Sequence, residues 1–524
     1  MVSESQKRIV GEELAAVLPA RIQPWWKTPY LLRLNFYLFS CMLFSATIGF
    51  DNSLMNGLQA LDTWNKFMDH PTGAYLGAIN ACQAGGACIA NPVMSYVSNE
   101  YGRKVSVWIG LFFLSLGTAL NASAINPAMF IVSRVLVGSA SGFFSAVALL
   151  VTEMAYPTHR GKMTAGFNTL VYAGSLISAW STFGCRNLDS NWSWRIPSLL
   201  QILIPTIAFT GFALTPESPR FLISKGRNEE ARLSLIKHHG GGDESSPLVA
   251  FEMAEIEQAI LLEQQANESS GYMDMLKTAG NRHRLFISIS MGVFSQWNGV
   301  GIVSYYLAAV LKTVGITSIT QQTLINGFLQ LWNLIMAVLA SSLVDRIGRR
   351  PLLLASSFGM LVCITIITGL SGSFAITAHA ATGLAVVPLL FIYFGFYDIA
   401  FTPLAVSYPA EIWQYSLRSR GVAVTYVSIY AAQFFNLFVN PIALESIAWK
   451  YYIVYIVIMI CICVVAWCCY PETRGYSLEE IARVFDKGDT NLLPHGVILD
   501  AVKDKQMEMN SDKVDHVDHA EEKV

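Results

Sequence analysis

Twelve runs of about twenty predominantly apolar residues follow one another along the chain, at roughly 32–58, 73–97, 104–123, 127–152, 164–184, 195–214, 284–311, 321–344, 352–373, 383–408, 421–441 and 450–470. At a rise of about 1.5 Å per residue, each is long enough to cross a hydrocarbon core as a helix. Polar stretches separate them. One is long: 215–283 contains "GGGDESSP" and reads as a linker with short amphipathic helices, such as 249–265. The segment 1–31 is polar and charged, which speaks against a secretory signal peptide. The tail 471–524 becomes polar, and from 484 onward it has the composition of a disordered segment. The pattern predicts an all-α membrane protein with twelve transmembrane helices, six in an N-terminal bundle (32–214) and six in a C-terminal bundle (284–470). An even number of crossings puts both termini on one side.

The two bundles repeat each other. "NEYGRK" (99–104) recurs as "DRIGRR" (345–350), "EMAYPTHRG" (153–161) as "EIWQYSLRSRG" (411–421), and "PESPR" (216–220) as "PETRG" (471–475). Three motifs in the same order at near-constant separation specify a duplicated, pseudo-symmetric six-helix unit. The short loops then orient the chain. One side carries nine basic residues: Arg103, Lys104, Arg160, Lys162, Arg346, Arg349, Arg350, Arg418 and Arg420. The other carries five: Lys66, Arg186, Arg195, Lys312 and Lys450. The motif loops and both termini are therefore expected in the cytoplasm. Two sequons, at Asn121 and Asn191, fall outside as candidate glycosylation sites, and a third, at Asn267, falls inside and should stay bare.

Composition agrees. The chain is 53% hydrophobic and only 14% charged, against about 25% charged in soluble proteins. A net charge of −2 gives no reason to expect a nucleic-acid partner. Nine cysteines are scattered, and Cys461, Cys463, Cys468 and Cys469 lie in an apolar run where they read as packing residues. No nucleophile–base set, phosphate loop or metal cluster is visible, so neither an enzyme nor a bound cofactor or metal is expected.

One feature resists a purely structural reading. Asp51 stands seventeen uncharged residues after Arg33, within the first span. A charge at mid-bilayer costs about 2.5–3.5 kcal/mol on insertion scales. Arg134, in the fourth span, sits at similar depth when helical rise is counted from the opposite end. The two relieve each other's desolvation cost. They can also act as a proton switch: Asp51 is ionised while paired and takes a proton when the pair opens into apolar surroundings. The alternative is a fixed ion pair that locks span one to span four.

The motifs carry a resemblance over nearly the whole chain. "GFDNSLMNG", "YGRK" with "DRIGRR", "SRVLVGSASG", "PESPRFL", "QWNGVGIVSYY" and "PETRGYSLEEI" identify it as similar to the sugar porter family of the major facilitator superfamily. "SQWNGVGIVSYYL" and "YDIAFTPLAVSYPAEIW" look closest to fungal lactose-permease-like and cellodextrin-transporter-like members. The resemblance implies two bundles around a central cavity that opens alternately to each side, and a sugar or glycoside substrate. Porters with Asp at the Asp51 position are commonly proton symporters. The expectation is a proton-coupled importer, working as a monomer in the plasma membrane. A uniporter, an exporter of a sugar-like metabolite, or a sensor that keeps the fold are the alternatives; the short tail argues against the sensor.

Sugar recognition needs hydrogen-bonding groups and apolar faces near mid-membrane. Gln296, Asn333 and Gln433 fall near the middle of spans seven, eight and eleven, with Asn168 lower in span five and Asn298 as a further candidate. Tyr305, Tyr306 and Trp332 can stack or gate. Any one amide could instead bond a neighbouring helix. Ser295 and Gly301 stand where the family often has Gln and Asn, and Asn99-Glu100 and Val406 also depart from its pattern. Smaller residues at 295 and 301 leave volume, so a disaccharide or glycoside is expected to compete better than glucose. Asp398, a second acid within a span, either faces the cavity to assist gating or pairs with a basic group on the rim. Arg103, Glu153, Arg160 and Glu217 mirror Arg349, Glu411, Arg418 and Glu472. Salt bridges among them can latch the inner ends when the carrier faces outward, or form a solvated charged rim.

Overall fold

A computed structural model describes residues 18, 25–269, 271–474 and 485; most of the segment 1–31 and of the tail beyond 474 lies outside these residues. Twelve long helices carry the fold, numbered here in chain order: α1 (Pro29–Ala60), α2 (Gly73–Glu100), α3 (Arg103–Ala122), α4 (Pro127–Met154), α5 (Arg160–Cys185), α6 (Trp192–Leu214), α7 (Ala279–Thr313), α8 (Ile319–Ile347), α9 (Arg349–Thr377), α10 (Val386–Ile412), α11 (Tyr415–Ile447) and α12 (Tyr451–Cys469). Each covers one of the apolar runs. Strands are not found among the described residues. The linker holds helices at Pro219–Ser224, Asn228–His238 and Pro247–Ser269, the last containing the expected amphipathic stretch.

Composition alone qualifies nine stretches as spans, the last holding both α11 and α12; α2 and α5 are not among them. Both trade apolar side chains for close backbone packing. A Cβ on Gly174 of α5 would lie 1.7 Å from the Ala46 carbonyl oxygen of α1, and one on Gly138 of α4 would lie 2.0 Å from the Gln83 carbonyl oxygen of α2. Small residues let helix backbones approach where lipid gives no hydrophobic drive to associate.

The halves meet along three helix pairs related by the pseudo-symmetry: α1 with α7, α2 with α11, and α5 with α8. Their contacts gather at the end opposite the duplicated motifs, called here the far end. There the Arg186 Nε donates to Thr320 Oγ1 at 3.2 Å, and Trp180 meets Phe328 edge-on. A Cβ on Gly77 of α2 would lie 2.6 Å from the Phe438 carbonyl oxygen of α11.

At the motif end, each half builds the same device. Gly102 and Gly348 precede α3 and α9 with φ of 111° and 110°, a region that penalises side chains. The next two backbone N–H groups are free helix-start donors, and one carboxylate takes both. Glu217 accepts from Arg103 and Lys104 at 3.2 and 3.1 Å, and Glu472 accepts from Arg349 and Arg350 at 2.9 and 3.0 Å. Arg103 then reaches Glu153 at 3.0 Å, as Arg349 reaches Glu411 at 3.1 Å. Ser218 and Thr473 complete the match by donating to Glu153 and Glu411.

The linker docks under the first half. His239 Nδ1 lies 2.7 Å from Glu252 Oε2, and its Nε2 lies 3.2 Å from the Met154 carbonyl at the end of α4. His238 packs edge-on against Tyr37 of α1. Towards the second half, Arg420 of α11 lies over the Tyr272 ring.

Two surface expectations differ from the structure. Asn121 is 0% exposed in the last turn of α3, with both amide atoms buried, so it is no glycosylation acceptor in this fold. Asn191 is exposed ahead of α6, with Trp194 Nε1 3.5 Å from its Oδ1. Cys461 and Cys468 face outward from α12 rather than into the core, and only Cys463 and Cys469 are half-buried. Asn267 lies among side chains that are not described.

Candidate functional site

Asp51 and Arg134 meet as the sequence predicts. Arg134 Nη1 lies 2.5 Å from Asp51 Oδ1, and the side chains are 0% and 1% exposed. Burial this complete makes a lone charge prohibitive and a matched pair tolerable. A third residue, unanticipated, closes the set: Gln83 of α2 donates through Nε2 to Asp51 Oδ2 and accepts from Arg134 Nη2 at Oε1. Its signal in sequence was a single large amide in the small-residue run "ACQAGGA", which by itself reads as a helix–helix contact.

Gln83 also lines a cavity of about 220 Å³ between the halves. Asn52, Asn80, Ser141 and Ser145 contribute the polar wall of the first half; Tyr305, Tyr430 and Gln433 face them from the second. Gln433 Nε2 donates to the Tyr305 hydroxyl at 2.8 Å. Two of the predicted substrate residues, Tyr305 and Gln433, thus meet here. The four first-half polar residues carry no distinctive signal in sequence, because short polar side chains are common at helix contacts.

Helix α7 is broken twice, and the breaks decide where its polar residues go. Gly299 takes a left-handed φ of 92°. Asn298, expected to join the substrate amides, instead serves the break: Nδ2 donates to the Ser295 carbonyl at 3.1 Å, Oδ1 accepts from Val300 N at 3.1 Å, and its own carbonyl accepts from Tyr393. Tyr306 leaves helical geometry (φ −136°, ψ 32°), is buried, and donates to the Leu437 carbonyl, so it is a strut of the break rather than a stacking surface. Main-chain groups freed there are taken by α1. Asn56 donates to the Ser304 carbonyl and accepts from Leu307 N at 3.2 Å, and Gln59 donates to the Tyr305 carbonyl at 2.9 Å. This sews α1 to α7 at the far end.

Volume near Gly301 is occupied. A Cβ there would lie 2.3 Å from Asn436 Nδ2, which donates to the Gln296 carbonyl at 2.8 Å. Ser295 is buried and turned back on the Gly292 carbonyl. The enlarged pocket expected from these two positions is therefore not formed. Gln296 is half-buried with a long contact to Ser295 Oγ at 3.5 Å. Asn333 is 1% exposed, its Oδ1 is buried without a hydrogen-bond partner, and it does not line the cavity. Trp332, expected to stack on substrate, lies against Gly395 of α10 and lines a groove on the apolar face of α8 and α10.

Asp398 is fully buried, and its partners are hydroxyls rather than a basic group: Tyr172 at 2.5 Å and Thr402 at 2.9 Å, both on Oδ1. Tyr172 belongs to the first half, so the bond crosses the seam. Asn168 stands one turn from Tyr172 on the same face of α5, towards the motif end, and is exposed. The seam is thus closed at mid-depth by Tyr172 and Asp398 and at the far end by Arg186–Thr320 and Trp180–Phe328, while Asn168 below them is exposed. The rim pairs Arg103–Glu153 and Arg349–Glu411 are formed in this same conformation, each inside its own half. They brace the halves, where a latch joining the inner ends was expected. Arg160 and Arg418 stand at the starts of α5 and α11, with Arg418 3.5 Å from the Trp413 carbonyl.

Comparison with known proteins agrees with this architecture. Residues 38–485 match the family model described as sugar (and other) transporter. A Kluyveromyces lactis protein named high-affinity glucose transporter is 26% identical over 88% of this chain and 86% of its own length. An Aspergillus oryzae protein named MFS-type transporter oryC is 30% identical over 75% of this chain and 74% of its own. Among solved structures, the inward open conformation of the xylose transporter XylE from E. coli superposes with a TM-score of 0.70 at 20% identity, covering 86% of this chain and 99% of that one. XylE described as a proton:xylose symporter, bound to 6-bromo-6-deoxy-D-glucose, gives 0.69 at 21% identity over the same shares. At that identity the likeness is one of fold. A family match of this span, on twelve helices arranged as two mirrored halves, means that the chain belongs to the sugar (and other) transporter family and is a multi-pass membrane protein with the major facilitator fold.

Proposed function

We propose that the chain is a proton-coupled sugar importer that works by alternating access, as a monomer in the plasma membrane with its motif end in the cytoplasm. The observation that carries this reading is the buried Asp51–Arg134 pair set beside a polar cavity between two halves. Relatives named glucose transporters and a fold neighbour named a proton:xylose symporter support a sugar and a proton as the two cargoes. The closed far end and exposed Asn168 correspond to a state open to the cytoplasm. The segments 32–214 and 284–470 rock as two bodies, each stiffened by its rim device, with 215–283 as the strap between them. Gln433, Tyr305, Gln296 and Asn333 hold the sugar from the second half, Asn168 meets it on the cytoplasmic path, and Asp398 acts at the seam.

A cavity of about 220 Å³ is small beside the ~300–1,000 Å³ of sites that enclose drug-sized ligands. It favours a single sugar ring over the disaccharide suggested by sequence.

Uptake of labelled mono- and disaccharides in cells lacking their own carriers, with and without a proton uncoupler, tests the proposal. Accumulation against the gradient is expected, abolished by the uncoupler and by Asp51→Asn, while Asp51→Asn still exchanges sugar across the membrane. Concentrative uptake that ignores the uncoupler, or survives in Asp51→Asn, overturns the coupling.

A further inference from the structure

Of the three residues in the buried triad, Gln83 alone lines the cavity; Asp51 and Arg134 lie behind it. We infer that Gln83 is the positioning residue through which a sugar in the cavity controls the proton on Asp51. This rests on the coupled sugar transport proposed above and names the part that couples.

The geometry limits how a bound sugar can reach the charge pair. Gln83 spends one N–H on Asp51 Oδ2 and its carbonyl on Arg134 Nη2. One N–H and one lone pair of the carboxamide remain after these bonds, and because Gln83 lines the cavity a sugar hydroxyl there can both accept from it and donate to it. Carboxamide–hydroxyl pairs of this kind are the common currency of sugar recognition in buried sites. A hydroxyl that draws the carboxamide toward itself removes a donor from Oδ2. Oδ2 then takes one proton from hydronium on the open side: an O–H bond forms on Oδ2, one O–H bond of the hydronium breaks, and water is left. The carboxamide also gives up Arg134 Nη2, and the neutral acid no longer forms an ion pair with Arg134, so the pair opens as Asp51 takes its proton. Among the described residues, Tyr305 of α7 feels the charge of Asp51 and Cys82 of α2 that of Arg134. Neither reaches Asp51 with a hydrogen bond among those described, so neither replaces Gln83 as the link. The main chain at Gln83 is held closely, because its backbone carbonyl seats against Gly138 of α4.

Linkage is reciprocal: if sugar favours the protonated acid, protons must favour sugar binding by the same factor. The KM for uptake of labelled D-glucose and of lactose is therefore measured at external pH 5.5, 6.5 and 7.5. In the native protein, KM for the transported sugar is expected to rise by about tenfold across this range, a typical coupling factor. In Gln83→Ala the rise should shrink to less than about twofold, and Gln83→Asn, with a shorter carboxamide, should fall between. Gln83→Met keeps the volume without hydrogen bonds and replaces Gln83→Ala if that variant reaches the membrane in low yield. A Gln83→Ala or Gln83→Met protein with the native pH dependence of KM overturns the inference while leaving coupling intact. A native protein whose uptake ignores both pH and uncoupler overturns the coupling reading and this inference together.

Discussion

The hydroxyl of Tyr172, on α5 of the first half, donates to Oδ1 of Asp398, on α10 of the second, at 2.5 Å. Thr402 supplies the other donor to that oxygen, and Oδ2 is buried without a partner. The bond crosses the seam at mid-depth, between the closed far end and the exposed Asn168. It exists in this conformation and must break when the far end opens. Tyr172→Phe should therefore favour opening. One such bond contributes about 1–3 kcal/mol, which is about 5- to 150-fold in a two-state equilibrium. A reporter made by Ser304→Cys, at the α1–α7 contact, should be labelled from outside about tenfold faster in the Tyr172→Phe background. Equal labelling rates would mean that the bond does not hold the seam.

Gly348 is a second sensitive point. Its φ of 110° disfavours any side chain, and a Cβ there would lie 2.9 Å from Glu472 Oε2. Gly348→Ala should cost about 1–3 kcal/mol through backbone strain and displacement of the carboxylate from the start of α9. The mirrored Gly102→Ala should behave alike, since Glu217 approaches to 2.6 Å there. Thermal unfolding in detergent checks this: both variants should melt several degrees lower, and a Tm equal to the native one would sink the capping argument.

Much of this was legible in the chain. The span boundaries, the duplication and the Asp51–Arg134 pair follow from hydropathy, ordered motifs and helical rise, all of which act along one helix at a time. The site proved less legible where a residue's role depends on a second helix. Gln83 lies on a small-residue run and gains meaning only because Gly138 brings α4 against it. Asn298 and Tyr306 read as ligands by type, yet the breaks in α7 consume their polar groups. Gly301 reads as a vacancy until Asn436 arrives from α11. Asn121 has a sequon, but its side chain turns into the protein from the last turn of α3 and is buried there.

The linker carries a pH dependence of definite sign. His238 is buried under the first half, and its ring is held down from 6.5 to about 4, first by burial and then by Lys237, His239 and Arg33 nearby. An undocked ring takes its proton near 6.5 and a docked one only near 4, so between these values the undocked state binds more protons. Docking is at full strength above pH 6.5 and weakens as pH falls towards 4, by at most about 3 kcal/mol. Hydrogen exchange of the helix Asn228–His238, corrected for intrinsic rates, should lose protection between pH 7 and 5. His238→Phe, which keeps a ring against Tyr37, should flatten that profile. A native profile that is flat over this range would show that His238 does not hold the linker.

Substrate size can be probed at Gly301. The space beside it holds Asn436, whose Nδ2 donates to the Gln296 carbonyl at 2.8 Å and whose Oδ1 accepts from Tyr455 at 2.9 Å. Placing the Asn frequent in the family at this position would thus overpack the contact rather than restore a ligand. Overpacking of this kind costs about 1–3 kcal/mol. Gly301→Asn alone should lower uptake by about tenfold or more for every sugar, because it displaces the strand of bonds running from Tyr455 through Asn436 to α7. Adding Asn436→Ser vacates the space and should recover transport, a coupling visible as non-additivity in the double-mutant cycle. Competition by glucose, galactose, lactose and cellobiose is then compared between the native protein and the double variant. With the native pocket sized for one ring, free hexoses should compete better than the disaccharides in both proteins. Lactose or cellobiose winning in the native protein would show that the two-ring expectation was right and that the cavity widens beyond its volume in this conformation.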